Sequence, residues 1–208
     1  MEDMLLKQTI YLLRHGETEL NVKGRYQGEL DSSLTSDGIE QVKNNAKLLK
    51  VLIDNPREWE FISSTLGRAQ QSTDIICEVI GYDKSKVIMD PRLKEVSVGK
   101  WAGLTTIEIE KSWPELMKNT NNYNWYFNSP NGESYDSVVD RVSEWLHSIR
   151  NKEKVIVMSH GLTGRIIRGV YQGLTKDQSL VLEVSQNTFF RLSDKQIERF
   201  CSDYDEFY

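Results

Sequence analysis

The sequence is poor in cysteine, proline and histidine, and it lacks any long apolar run. Its 208 residues include two cysteines, four prolines and three histidines. Cys77 and Cys201 lie far apart with no CxxC or Cys/His ligand spacing, which argues against both a disulfide scaffold and a zinc site. No stretch reaches the roughly 18 apolar residues of a membrane-spanning helix. Positive charge is also in deficit, with 26 Lys and Arg against 31 Asp and Glu and a formal net charge of −5. A broad nucleic-acid or anionic-membrane surface is therefore not expected, and any bound anion must be caught locally. Glu2 and Asp3 stand where a secretory signal would be positive, and Lys7 and Gln8 break the apolar stretch around Leu5, so a cytoplasmic protein is expected.

What is present is the composition of a folded globular chain, 38% hydrophobic and 27% charged. At about 100–200 residues per domain, the length suits a single domain over 1–208. Short apolar runs alternate with longer amphipathic ones, the pattern of an α/β layered domain. Residues 9–13, 60–63, 87–89, 155–158 and 188–192 are predicted as strands. TIYLL (9–13) and VIVM (155–158) are nearly continuous apolar and should be central and parallel. Ile39, Val42, Ala46, Leu49 and Ile53 make one stripe of a helix from 36 to about 53, with Thr35 or Ser36 as its N-cap.

Further helices are predicted from Leu66 to Gly81, from near Thr105 to before Pro114, from a Ser134 cap through Ile149, and from Gly161 to Gly173. Between them, residues 113–135 are polar, aromatic and Asn-rich with neither period. So long a connection suggests a lid, a binding loop or a disordered segment, and a lid insertion over 105–135 is expected. Its rings, Trp113, Tyr123, Trp125, Tyr126 and Phe127, could stack on a substrate or cement the segment to the core; Lys100 and Trp101 could reach a leaving group. The acidic aromatic tail 201–208 could dock, join a partner or be disordered.

Two of the three histidines directly follow predicted central strands, in RHGET (14–18) and SHG (159–161). Ligands of open α/β sheets gather beyond the carboxyl ends of strands, so both rings should face one crevice. His147 lies within an amphipathic helix and is expected to be a surface or packing residue. Arg14 adjoins His15, and Arg68 lies at a helix start, where free amides favour anions. Such a cationic cluster calls for a dianion, and phosphate accepts the planar bidentate bonds that Arg gives. His15 and His160 could then be passive donors, or one could attack phosphorus with its other nitrogen hydrogen-bonded to fix the tautomer. The leaving oxygen needs a proton, which a carboxyl group kept protonated by burial could supply; Glu95 is the candidate.

These residues, with RYQG (25–28), LTSDGIEQ (34–41), SSTLGRAQQS (63–72), LKEVSVGKWAGLT (93–105) and PNGES (130–134), occur in the order found in a known family. The chain resembles the histidine phosphatase superfamily, in the branch of cofactor-dependent phosphoglycerate mutase and small broad-specificity phosphatases. The resemblance implies a three-layer α/β/α sandwich with a mostly parallel central sheet and a phosphohistidine mechanism without metal or other cofactor. It places the nucleophile on His15, the phosphate clamp on Arg14, Arg68 and His160, and the proton donor and acceptor on Glu95. Asn21, Gln27, Gly28 and Gly161 fall on further positions that line phosphate and substrate.

Mutases of the family resemble one another in an Arg-containing Tyr-Gly segment after the acid glutamate and in a longer insertion before the second histidine. Here Ser97 and Val98 begin the corresponding stretch. The departure favours hydrolysis of a small phosphorylated metabolite over mutase chemistry. A catalytically inactive phospho-ligand binding module is the third possibility.

Overall fold

A computed structural model describes residues 8–118, 120, 121 and 123–202. The expectations for the first seven residues and for tail residues 203–208 lie outside the described residues. Six strands form one sheet in the order β3-β2-β4-β1-β5-β6, comprising β1 Thr9–Arg14, β2 Glu60–Ser63, β3 Ile88–Met89, β4 Lys154–Ser159, β5 Thr188–Ser193 and β6 Gln196–Cys201. The two apolar runs are neighbours at the centre, β1 pairing with β4 in parallel with Leu12 opposite Val157. β2 and β3 continue the parallel set, and only β5 runs against it.

Alternation along the strands sends Tyr11, Leu13, Phe61, Ile156 and Met158 to one face and Ile10, Leu12, Ile62, Val155 and Val157 to the other. The first face is covered by α2 (Ser36–Leu52) and α3 (Gly67–Ile80). The second is covered by α6 (Tyr135–Ser148) and α7 (Gly161–Gln172), through Val138, Val142, Trp145, Ile166 and Ile167. The protein is thus a three-layer α/β/α sandwich, as expected.

The caps follow local chemistry. Thr35 accepts from the Gly38 N–H and Ser134 from the Ser137 N–H, while Gly81 and Gly173 end their helices in the left-handed conformation, with φ of 75° and 69°. The remaining helices are short: α1 Glu19–Val22, α4 Thr106–Ser112, α5 Pro114–Met117 and α8 Lys176–Leu180. Among the described residues of 113–134, the helical structure is α5 and a 3-10 turn, Trp125–Asn128. Cys201, assigned to the tail by its sequence, closes β6, and the Ser202 N–H bonds the Asn187 carbonyl.

Candidate active site

Because β1, β2 and β4 are parallel and adjacent, their carboxyl ends deliver His15, Ser64 and His160 to one edge of the sheet. The His15 N–H still bonds the Ser159 carbonyl and the Ser64 N–H bonds the Met158 carbonyl, so the sheet's hydrogen bonding runs on into the site. The rings of His15 and His160 lie 5.1 Å apart, both about 2% exposed. The expectation of one shared crevice end for the two histidines is met in position, though not in the direction of both rings.

His15 Nδ1 lies 2.7 Å from the Gly16 carbonyl oxygen, a contact only an N–H can make favourably. The proton is thereby assigned to Nδ1, and Nε2 carries the lone pair. Burial, and after it the charges of Arg14 and Arg68, hold this imidazole well below the ordinary value of 6.5, against the opposing bond to Gly16. At neutral pH the ring is uncharged, and Nε2 accepts only a long bond, 3.3 Å, from Arg68 Nε. The loop that carries it is held from behind. The Glu17 N–H donates to Gln41 Oε1, Thr35 Oγ1 donates to Glu17 Oε1, and Gly16 and Gly38 touch so closely that a Cβ on Gly16 would meet the Gly38 oxygen at 2.2 Å. This is the physical content of LTSDGIEQ.

Arg68 is 1% exposed and uses its guanidinium on Leu30 O (2.8 Å), Gly28 O (2.8 Å) and Asp31 Oδ1 (3.2 Å). Gly28 has a φ of +53°, and a Cβ there would lie 2.9 Å from the Val98 nitrogen, so only glycine presents that carbonyl. The free amides expected at the start of α3 are occupied. Asp31 accepts from the N–H groups of Gly67 (2.6 Å) and Arg68 (3.2 Å), supplying a cap that Leu66 cannot. Asp31 carries no sequence signal, because it lies 36 residues from the helix it caps.

Glu95 follows β3 and a 3-10 turn, Pro91–Leu93, and reaches the start of α7. Its carboxyl group accepts from the N–H groups of Leu162 (3.2 Å), Thr163 (3.0 Å) and Val96 (3.0 Å), while Thr163 Oγ1 donates to the Lys94 carbonyl (2.7 Å) and lies 3.2 Å from Oε1. Three N–H donors, two of them at the start of α7, thus aim a half-buried side chain at the cavity. PNGES secures the same stretch. Glu133 accepts from the Ser97 N–H (2.8 Å), returns its own N–H to the Ser97 carbonyl, and pairs with Arg141, which bonds the Arg92 carbonyl.

The cavity in front of Nε2 holds about 290 Å³ and is lined by Arg14, His15, Asn21, Gln27, Gly28, Arg68, Glu95 and Gly161 among others. Eight of the nine residues singled out from the sequence therefore share one wall. His160 is the exception. Its Nε2 faces Ser64 Oγ at 2.7 Å, and it stands behind His15 and Arg14 beside a smaller void of about 20 Å³. Burial first, then the charges of Arg68 and Arg14, keep it neutral, well below 6.5. Arg14 lies against Gly161, where a Cβ would sit 3.4 Å from its Cζ. Burial lowers its pKa, Glu95 opposing and Arg165 and Arg68 adding to the fall. Asn21 and Gln27 are tied to Thr18, through Oδ1 and Nε2 respectively.

Of the aromatic residues in 113–135, only Tyr126 lines the cavity. Trp125 is buried with Trp101 (rings 5.5 Å apart) and Trp113 packs on the same cluster, so most of these rings anchor the segment. Trp101 is fully buried and Lys100 is exposed away from the cavity, which removes both from contact with a leaving group. Among the other lining residues, Arg25, Tyr26, Arg165 and Val184 carry no site role in the sequence reading. Arg165 was foreseeable in principle, since it lies one turn beyond Gly161 on α7. Among the described residues no group of three or more His, Cys, Asp or Glu side chains is placed to hold a metal ion. The arrangement can receive an anion between two guanidiniums with a neutral nucleophilic nitrogen facing it and a carboxyl group opposite.

A model of the histidine phosphatase superfamily (branch 1) matches residues 10–194. A 2,3-bisphosphoglycerate-dependent phosphoglycerate mutase of Rhizobium rhizogenes is 30% identical over 183 residues, 85% of each chain. A fructose-2,6-bisphosphatase of Saccharomyces cerevisiae is 29% identical over 188 residues, which are 89% of this chain and 39% of the yeast protein. Among solved structures, Bacillus stearothermophilus YhfR superposes with a TM-score of 0.77 at 25% identity, covering 93% of this chain and 96% of that one.

Proposed function

The chain belongs to the histidine phosphatase superfamily, and from that membership and the geometry above we propose that it is a phosphomonoester hydrolase working through a phosphohistidine on His15. The observation that carries this reading is the tautomer of His15: Nδ1–H bonded to Gly16, Nε2 facing the cavity beside Arg68. With the phosphoryl group of a small metabolite held by Arg14 and Arg68, Nε2 attacks phosphorus as the ester P–O bond breaks. Glu95, which takes up a proton as the phosphomonoester binds beside it, gives that proton to the leaving oxygen. The positive charge that then develops on the ring is spread toward the Gly16 carbonyl through Nδ1–H. Water attacks the phosphohistidine, Glu95 takes its proton, and phosphate leaves. Positioning and charge stabilisation supply most of the catalysis, as in phosphoryl transfer generally.

On this reading His160 supports the wall behind His15 and Arg14 while Asn21, Gln27, Gly28 and Gly161 shape the phosphate and substrate space. Residues 1–208 make one catalytic domain, with 105–135 as its cover through Tyr126. No metal or organic cofactor enters the reaction.

The mutase named among the relatives supports a second reading, in which a phosphoglycerate rather than water takes the phosphoryl group. Hydrolysis is preferred because Ser97 and Val98 begin the stretch in which mutases of the family carry an Arg-containing Tyr-Gly segment. Rates of phosphate release and of 3-phosphoglycerate to 2-phosphoglycerate conversion, measured with a bisphosphoglycerate primer, separate the two. Faster release supports the hydrolase, and faster conversion replaces it with the mutase.

A further inference from the structure

Four guanidiniums line the cavity, and the protein's own carboxylates account for two of them. Arg25 is held by both oxygens of Glu108, at 2.9 and 3.3 Å, and by the Gly103 carbonyl. Arg68 is held by Asp31 and two backbone carbonyls. Arg14 and Arg68 flank His15 and are the pair a transferring phosphoryl group would take. Arg165 is left over: it lines the same cavity, yet among the described residues it pairs with no carboxylate.

Its side chain is nonetheless anchored. Nε donates to the Leu182 carbonyl, and the guanidinium carbon lies 5.9 Å from the centre of the Tyr123 ring. The Tyr126 hydroxyl lies within hydrogen-bonding reach of the guanidinium, and among the described residues no carboxylate or backbone carbonyl is bonded to Nη1 or Nη2. A guanidinium fixed at Nε whose terminal groups meet only a hydroxyl keeps the fork that a carboxylate or a phosphate fits. Tyr126 and Arg14 are close enough to feel its charge. An anion placed there would relieve the repulsion between Arg14 and Arg165, whereas a hydroxyl would not.

We propose that Arg165 recognises a second anionic group on the substrate, so that the phosphomonoesters best used carry a carboxylate or a further phosphate beside the scissile one. This rests on the phosphomonoester hydrolase reading and adds the substrate class to it. Arg165 acts as a specificity-determining residue, bonding the organic part of the substrate rather than the reacting phosphorus.

The test compares kcat/KM for 3-phosphoglycerate and glycerol 3-phosphate, which differ only in a carboxylate against a hydroxymethyl group. Fructose 1,6-bisphosphate against fructose 6-phosphate makes the second arm and tells carboxylate from phosphate as the anion. The wild type is expected to prefer the anionic member of at least one pair by about tenfold or more, the worth of a charge-assisted bond. Arg165→Gln is expected to reduce that preference to within about threefold, chiefly through KM, with Arg165→Lys keeping part of it. Turnover of both pairs without preference in the wild type overturns the proposal, as does an equal loss on both members in Arg165→Gln. If the Gln variant does not fold, the wild-type preference and the Lys variant decide alone. Failure to hydrolyse any of the four, or nitrophenyl phosphate, instead removes the hydrolase reading and the proposal with it.

Discussion

Asp31 holds Arg68 at two points, accepting from its backbone N–H and from its guanidinium Nη1, each at 3.2 Å. The carboxylate is half exposed and lies outside the cavity wall, so its effect on phosphate reaches the site through Arg68. Asp31→Ala removes both the cap of α3 and the restraint on the guanidinium. The expected result is a loss of about 1 kcal/mol in urea unfolding, the usual worth of a cap, and a rise in KM for nitrophenyl phosphate. Unchanged KM would show that Gly28 and Leu30 hold Arg68 without help.

Glu95→Gln keeps the shape of the side chain but cannot deliver the carboxyl proton. Turnover of an alkyl phosphate should fall about a hundredfold or more, the usual scale of general acid catalysis. Nitrophenyl phosphate should lose less, because its leaving group scarcely needs protonation. Equal losses on the two substrates would reduce Glu95 to a cap for α7.

Much of this site is legible in the sequence, because its chemistry sits where local sequence is informative. His15 and His160 follow apolar runs that could only be central strands, and Thr35, Ser134, Gly81 and Gly173 marked the helix ends. What escaped depends on long-range contact. Asp31 caps a helix 36 residues away, and the ring of His160 turns to Ser64 rather than to the cavity. β6 escaped because its hairpin turns on Asp194 and Lys195, both with positive φ, where Asn-Gly would be the usual signal. Its side chains, half of them exposed and none buried, give no apolar alternation.

The two buried imidazoles make a prediction about pH. Both have folded-state values held below the 6.5 of free histidine, by burial and neighbouring guanidiniums. Below about pH 6.5 the unfolded chain therefore binds protons that the folded chain refuses. Their stabilising contribution is complete above about 6.5 and is lost as pH falls toward the depressed values. Thermal melts at about pH 7.5 and about pH 5.5 should show a smaller drop in Tm for His160→Gln than for the wild type. Identical drops would mean that His160 is protonated in the folded protein.

Gly38 supports the nucleophile's loop by having no side chain. A Cβ there would lie 2.0 Å from the Glu17 oxygen. An alanine inside an ordinary helix would add stability, by about 1 kcal/mol over glycine. Gly38→Ala should instead cost about 1–3 kcal/mol, the range of overpacking, and should lower kcat by displacing His15. A stabilised, fully active variant would show that α2 and the nucleophile's loop separate freely.

The mechanism stands or falls on the nitrogen that takes the phosphoryl group. Rapid quenching of the enzyme with labelled nitrophenyl phosphate, followed by ³¹P NMR and peptide mapping, measures it directly. An acid-labile, base-stable phosphoryl group on Nε2 of His15, absent in His15→Ala, is the predicted result. Label on any other side chain, or full turnover by His15→Ala, would contradict it.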